Sequence, residues 1–138
     1  MSDRRLRATI LVLSLLGAAV AGYLAVTHLV HVPVACATGG CETVQTSRYS
    51  ELAGVPVAAL GVGAYVVLAA SAASTSDPAR VLGFTAALTG LSFAVYLLYV
   101  QAVVLDAYCQ WCLASDALLI LLVPLTLLRV VRVDPPAG

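Results

Sequence analysis

Four long apolar runs govern what this chain can become. They cover about residues 8–30, 55–74, 81–105 and 111–131. Each approaches or exceeds the roughly 20 residues that carry a helix across a bilayer. Inside lipid every backbone N–H and C=O needs an internal partner, which leaves helices or a closed barrel. Barrel strands are about ten residues long and alternate polar with apolar side chains. These runs are longer and do not alternate. The expected fold is therefore an all-α integral membrane protein, a four-transmembrane-helix bundle. Residues 31–54 form a long outer loop between helices 1 and 2, and residues 1–138 form a single membrane domain.

Composition agrees. The chain is 62% hydrophobic and 10% charged, too apolar for a soluble domain of 138 residues. It has no lysine and a net charge of zero. No basic patch is large enough to neutralise many phosphates, so a nucleic-acid partner is excluded. Arg4, Arg5 and Arg7 precede the first run as they would in a secretory leader. That run is longer than a typical leader core. Its removal would leave an odd number of spans, so a retained helix is expected.

Local signals place the helix ends. Pro56 stands where a helix can begin, because its missing N–H has no intrahelical partner there. The stretch STSDPAR (74–80) is a short turn in which Ser76 or Asp77 caps the next helix. Pro124 falls inside the fourth run, where it kinks the helix. Six of the seven arginines fall on one side of a four-span topology, and only Arg48 falls on the other. By the positive-inside rule both termini are then cytoplasmic. The loop 31–54 and the short 105–110 connection face outward, which puts all four cysteines where disulfides persist.

Cys36 and Cys41 flank ATGG, a spacer short and flexible enough to allow a disulfide. So small a ring stabilises a fold little. It can serve as a redox device or as a simple structural bridge. Cys109 and Cys112 form CQWC at the start of the last run. Three apart at a helix start, both thiols can share a face. The partial positive charge of a helix N-terminus favours the thiolate, the nucleophile of disulfide exchange. Four cysteines could instead hold zinc, but the unequal spacings argue for no metal. Leu113 stands where covalent haem attachment would need histidine. Two dithiols on one outer surface point to a relay from a soluble partner to a lipid-borne quinone. The competing reading is a non-enzymatic membrane protein with structural disulfides or a thiol metal site.

The ordered pattern resembles the vitamin K epoxide reductase family in its prokaryotic branch. The resemblance rests on the loop pair Cys36 and Cys41, then TVQTSRYSELAGVPVAALGVGAY (43–65), then CQWC before the last span. Ser47, Arg48 and Tyr49 match the family's Ser-Arg-Trp-like segment. The other four-helix quinone-coupled oxidase, disulfide-bond-formation membrane protein B, has its CxxC first and its loop pair later. The resemblance implies a helix bundle around a quinone, menaquinone or ubiquinone, in the prokaryotic inner membrane. It implies a periplasmic thioredoxin-like partner oxidised at the loop pair. Carried over, Cys41 exchanges with Cys109, Cys112 faces the quinone, and Cys36 meets the partner first. The chain ends in RVVRVDPPAG, so that partner is expected to be a separate protein rather than a fused domain.

Three more residues are expected at the quinone, of which Ser47 owes its place chiefly to the resemblance. Asp116 follows Cys112 by four residues and shares its helix face. An ionisable residue inside a span is costly and often functional, and Asp116 could relay a proton or bond a ring oxygen. Trp111 could shape the pocket, although aromatics also gather at membrane interfaces. Eukaryotic relatives carry tyrosine at the position of Asp116 and asparagine near that of Val57, which argues against assuming vitamin K epoxide as the substrate. His28, His31 and Tyr108 read as interfacial, Arg48 as a head-group anchor, and Phe93, Tyr96 and Tyr99 as packing residues.

Overall fold

The computed structural model describes residues 2–32, 36, 39–40, 43, 46–48, 51–52 and 54–131. Cys41 and Tyr49, both singled out above, lie outside them, as does Arg132, one of the six arginines assigned to a single side. Helix α1 spans Asp3–Leu29. A two-residue strand β1 (Glu51–Leu52) pairs antiparallel with β2 (Val55–Pro56). Helix α2 spans Val57–Ala73. Helix α3 spans Asp77–Tyr99 and runs on into a π-helical turn, Val100–Leu105. Helix α4 spans Gln110–Val131.

Three of these helical segments, Asp3–Leu29, Asp77–Leu105 and Gln110–Val131, are long and apolar enough to cross a membrane. Helix α2 is shorter, with 17 residues. At about 1.5 Å per residue it rises about 26 Å, against a hydrocarbon core of about 30 Å. The apolar run 55–74 overstates it, because Val55 and Pro56 are extended and pair with Glu51 and Leu52 around Gly54 (φ +82°). Hydropathy does not separate a two-residue strand from the helix that follows it.

The other ends follow local chemistry. Helix α1 begins five residues before its apolar run, because the Ser2 hydroxyl accepts from the Arg5 N–H at 3.3 Å. Ser76 caps α3 in the same way through the Ala79 N–H. The third run therefore starts at Asp77 rather than 81. The π-turn closes at Asp106, which adopts the left-handed conformation (φ 49°) and donates its N–H to the Gln101 carbonyl.

The helices bury small residues such as Ser14, Gly17, Ala21 and Gly83 together with some large ones, and turn many other bulky apolar side chains outward. Leu6, Ile10, Tyr65, Leu68, Ala87 and Leu122 are among the core residues. Val12, Leu16, Val66, Val95 and Ile120 are more than half exposed. Outward apolar side chains with small residues between helices suit a lipid solvent, which supplies no hydrophobic drive for packing. Gly17 shows the principle: the Tyr65 ring occupies the space where a side chain at residue 17 would begin.

At one end of the bundle two arginines hold the last turn of α2. Arg129, 2% exposed, donates to the Ser71 carbonyl at 3.0 Å and the Ser74 carbonyl at 2.8 Å. Arg7 donates to the Ala72 carbonyl at 3.0 Å. These carbonyls are the orphan acceptors of a helix C-terminus, and cations there also complement its partial negative charge.

Candidate functional site

At the opposite end, the connection Asp106–Cys109 returns the chain from α3 to α4. Gln101 organises it. Its carbonyl accepts from the Ala107 N–H at 3.0 Å as well as from Asp106. Its side-chain oxygen accepts the Cys109 N–H at 2.9 Å. The Cys109 carbonyl in turn accepts from Leu113 at 3.0 Å, the first bond of α4. Cys109 therefore sits at the helix cap, and an amide from the preceding helix satisfies its N–H. The wide π-turn makes this possible, since π-turns interrupt α-helices mostly as short functional bulges.

Cys109 is fully buried, and Cys112, one turn on, is half-buried; both are thiols rather than a disulfide. Cys109 clusters with Leu24 of α1, and Val20, Cys36, Ala58, Trp111 and Cys112 pack around the pair. Cys36 is disulfide-bonded. The outer loop thus delivers Cys36 to the same small cluster as CQWC. Gly40 tightens the arrangement: a Cβ there would lie 2.5 Å from the Tyr108 carbonyl oxygen and 2.6 Å from its nitrogen. Only a glycine lets the loop lie directly on the backbone that carries Cys109.

Cys112 also opens onto a cavity of about 440 Å³ between the helices. That is the size of a small-molecule site. The walls are mostly apolar, with contributions from Leu24, Ala58, Leu82, Phe93, Leu97 and Leu119. Ser47, Val57 and Asp116 line it as well. Two buried polar atoms of lining residues have no hydrogen-bond partner among the described residues: Asp116 Oδ2 and Gln101 Nε2. An apolar chamber with separate unsatisfied polar atoms fits a flat apolar ring bearing polar oxygens, as in a quinone.

The expected site residues distribute as follows. Ser47, Cys112 and Asp116 share the cavity wall, while Cys36 and Cys109 sit in the adjoining cluster. Trp111 is not among the lining residues; its ring packs against Tyr23 with centroids 5.1 Å apart. His28 bonds Glu51 at 3.0 Å and ties the end of α1 to the β1–β2 hairpin. Tyr108 and Arg48 are exposed. Phe93, expected mainly as a packing residue, lines the cavity.

Tyr65 and Gln101 are lining residues that were not anticipated. Tyr65 donates or shares hydrogen bonds with Ser115, at 2.9 Å to the carbonyl and 2.7 Å to the hydroxyl oxygen. Nothing in the sequence separates it from an ordinary aromatic. Gln101 carried a usable signal: it is an amide inside an otherwise apolar run, where polar groups are costly and usually have a task.

A dithiol that opens on an apolar chamber, in a bundle with helices long enough for a bilayer, defines a membrane redox protein. The model of the Vitamin K epoxide reductase family matches residues 8–127. The chain belongs to that family, which brings oxidoreductase activity and the general use of a quinone as electron acceptor.

Proposed function

We propose that the protein is a thiol–quinone oxidoreductase that supports disulfide-bond formation in the prokaryotic inner membrane. All four helices span the bilayer with both termini cytoplasmic, and the cysteines lie on the outer side. The arginine-capped end of the bundle, away from the dithiol, supports this orientation. A separate thioredoxin-like periplasmic protein donates the electrons. Its dithiol reduces a Cys36–Cys41 disulfide and becomes oxidised. The Cys41 thiolate then attacks Cys109 in a Cys109–Cys112 disulfide, and Cys112 leaves as thiolate. Cys36 resolves the mixed disulfide, which regenerates the loop bridge and leaves Cys109 and Cys112 as the dithiol. A quinone, menaquinone or ubiquinone, supplies the sink for two electrons and two protons when that dithiol closes again.

One observation carries the reading: CQWC lies between Cys36 on one side and the apolar cavity on the other. A bonded Cys36 beside a Cys109/Cys112 dithiol is one of the combinations through which this scheme passes. In this scheme Asp116 relays a proton to the ligand, and Ser47 steadies the reacting sulfur or ring. Trp111 bounds the dithiol from the α1 side.

The test is quinone reduction by purified protein supplied with a reduced thioredoxin-like donor. Cys112→Ala should abolish turnover, and Cys36→Ala should accumulate a Cys41–Cys109 mixed disulfide. Normal turnover by Cys112→Ala would end the proposal.

A further inference from the structure

Gln101 has two ends with different employment. Its Oε1 accepts the Cys109 N–H at 2.9 Å. That contact fixes which way the amide faces, because a backbone N–H only donates and must meet the oxygen. The Nε2 group is then left with two hydrogens and no acceptor among the described residues. Gln101 is 1% exposed, so bulk solvent does not supply the missing acceptor, which has to come from the cavity the residue lines. Leaving a buried donor unpaired costs more than a typical hydrogen bond contributes. Gln101 also lines the cavity onto which Cys112 opens.

We propose that Gln101 Nε2 donates a hydrogen bond to a carbonyl oxygen of the ligand in this cavity, while Oε1 holds Cys109 at the helix cap. The inference rests on the quinone reading of the cavity and names the residue that orients the ring. A carbonyl oxygen is purely an acceptor and answers the orphan donor. Asp116 Oδ2, another unpartnered polar atom of the cavity wall, remains available to donate to a second ring oxygen as the carboxylic acid, or to accept from a ring hydroxyl as the carboxylate. One amide thus couples the position of the buried sulfur to the position of the ring: both are referred to the same planar group.

The test compares two probes that differ only in their oxygens, 2-methyl-1,4-naphthoquinone and 2-methylnaphthalene, in detergent solution. Gln101→Met removes the donor and keeps the side chain's length. It should raise the dissociation constant of the quinone about tenfold, the loss of one hydrogen bond to a buried group. The hydrocarbon's constant should stay within about twofold. Equal weakening of both probes would mean that Gln101 only shapes the cavity, and would overturn the proposal. Unchanged quinone binding in the variant, with tight binding by the wild type, would also overturn it while leaving the quinone site intact. Failure of the wild type to bind the quinone at all would remove the quinone reading itself.

Should Gln101→Met fail to fold, infrared spectra decide, with each carbonyl carbon of the quinone isotopically labelled in turn. In an Asp116→Ala background one carbonyl stretch should lie below its position in detergent alone. Both stretches at their detergent positions would refute the bond.

Discussion

Gly17→Ala should destabilise the bundle through a single side chain, Tyr65. The added Cβ would overlap Cδ1, Cε1 and Cζ of that ring. Tyr65 is 1% exposed, so its ring can retreat only toward the cavity it lines. Overpacking of this kind costs about 1–3 kcal/mol. If the ring swings clear, it also gives up its bonds to Ser115 at 2.9 and 2.7 Å, at about 1 kcal/mol each. Alanine returns about 1 kcal/mol through its better helix propensity. The net expectation is a loss of about 3 kcal/mol. Reversible unfolding in mixed detergent micelles, followed by far-ultraviolet circular dichroism, measures it. The decisive arm is Tyr65→Leu, which removes the obstructing ring. In that background Gly17→Ala should be neutral or slightly stabilising, so that the sign of its effect changes. An equal loss in both backgrounds would show that the glycine's role has nothing to do with the tyrosine.

Other expectations concern the two ends of the bundle. Gly40→Ala forces the outer loop off the Tyr108 backbone. Thiol exchange between the loop pair and CQWC should slow at least about tenfold, since exchange requires close alignment of the sulfurs, while a small alkylating reagent should label Cys112 at the wild-type rate. Arg129→Met removes the guanidinium donors from the Ser71 and Ser74 carbonyls and leaves the Ser71 carbonyl, among the described residues, only its bond from the Ser74 N–H. A loss of about 2–4 kcal/mol is expected in the same unfolding assay, and a loss under 1 kcal/mol would refute the clamp. Asp116→Asn should slow quinone reduction more than loop-thiol exchange when the two half-reactions are timed separately. Equal effects on both would remove Asp116 from the proton path.

Hydropathy made the helices legible because lipid-facing positions must be apolar wherever a span exists. It located α4 almost to the residue, 111–131 against Gln110–Val131. It could not locate the start of α1, which Ser2 and Asp3 set by polar capping outside the apolar run. Nor could it separate β2 from α2, because Val55 pairs with Leu52 through the backbone whatever its hydrophobicity. The π-turn at 100–105 was equally hidden: the same apolar residues suit either helix, and the distinction lies in which carbonyl Asp106 and Ala107 reach. Among the site residues, Cys109, Cys112 and Asp116 were readable as sulfur and charge beside a membrane. The meeting of Cys36 with Cys109 depends on how a long loop folds back, which local sequence does not encode. Tyr65 stayed invisible because its partner Ser115 is fifty residues away.

Arg7 and Arg129 fasten the final turn of α2 to its neighbours, whereas the first turn of α2 starts at a proline with no side-chain cap. One helix end is thereby latched to two different neighbours, α1 through Arg7 and α4 through Arg129, so α2 cannot slide along either without breaking charge-assisted bonds.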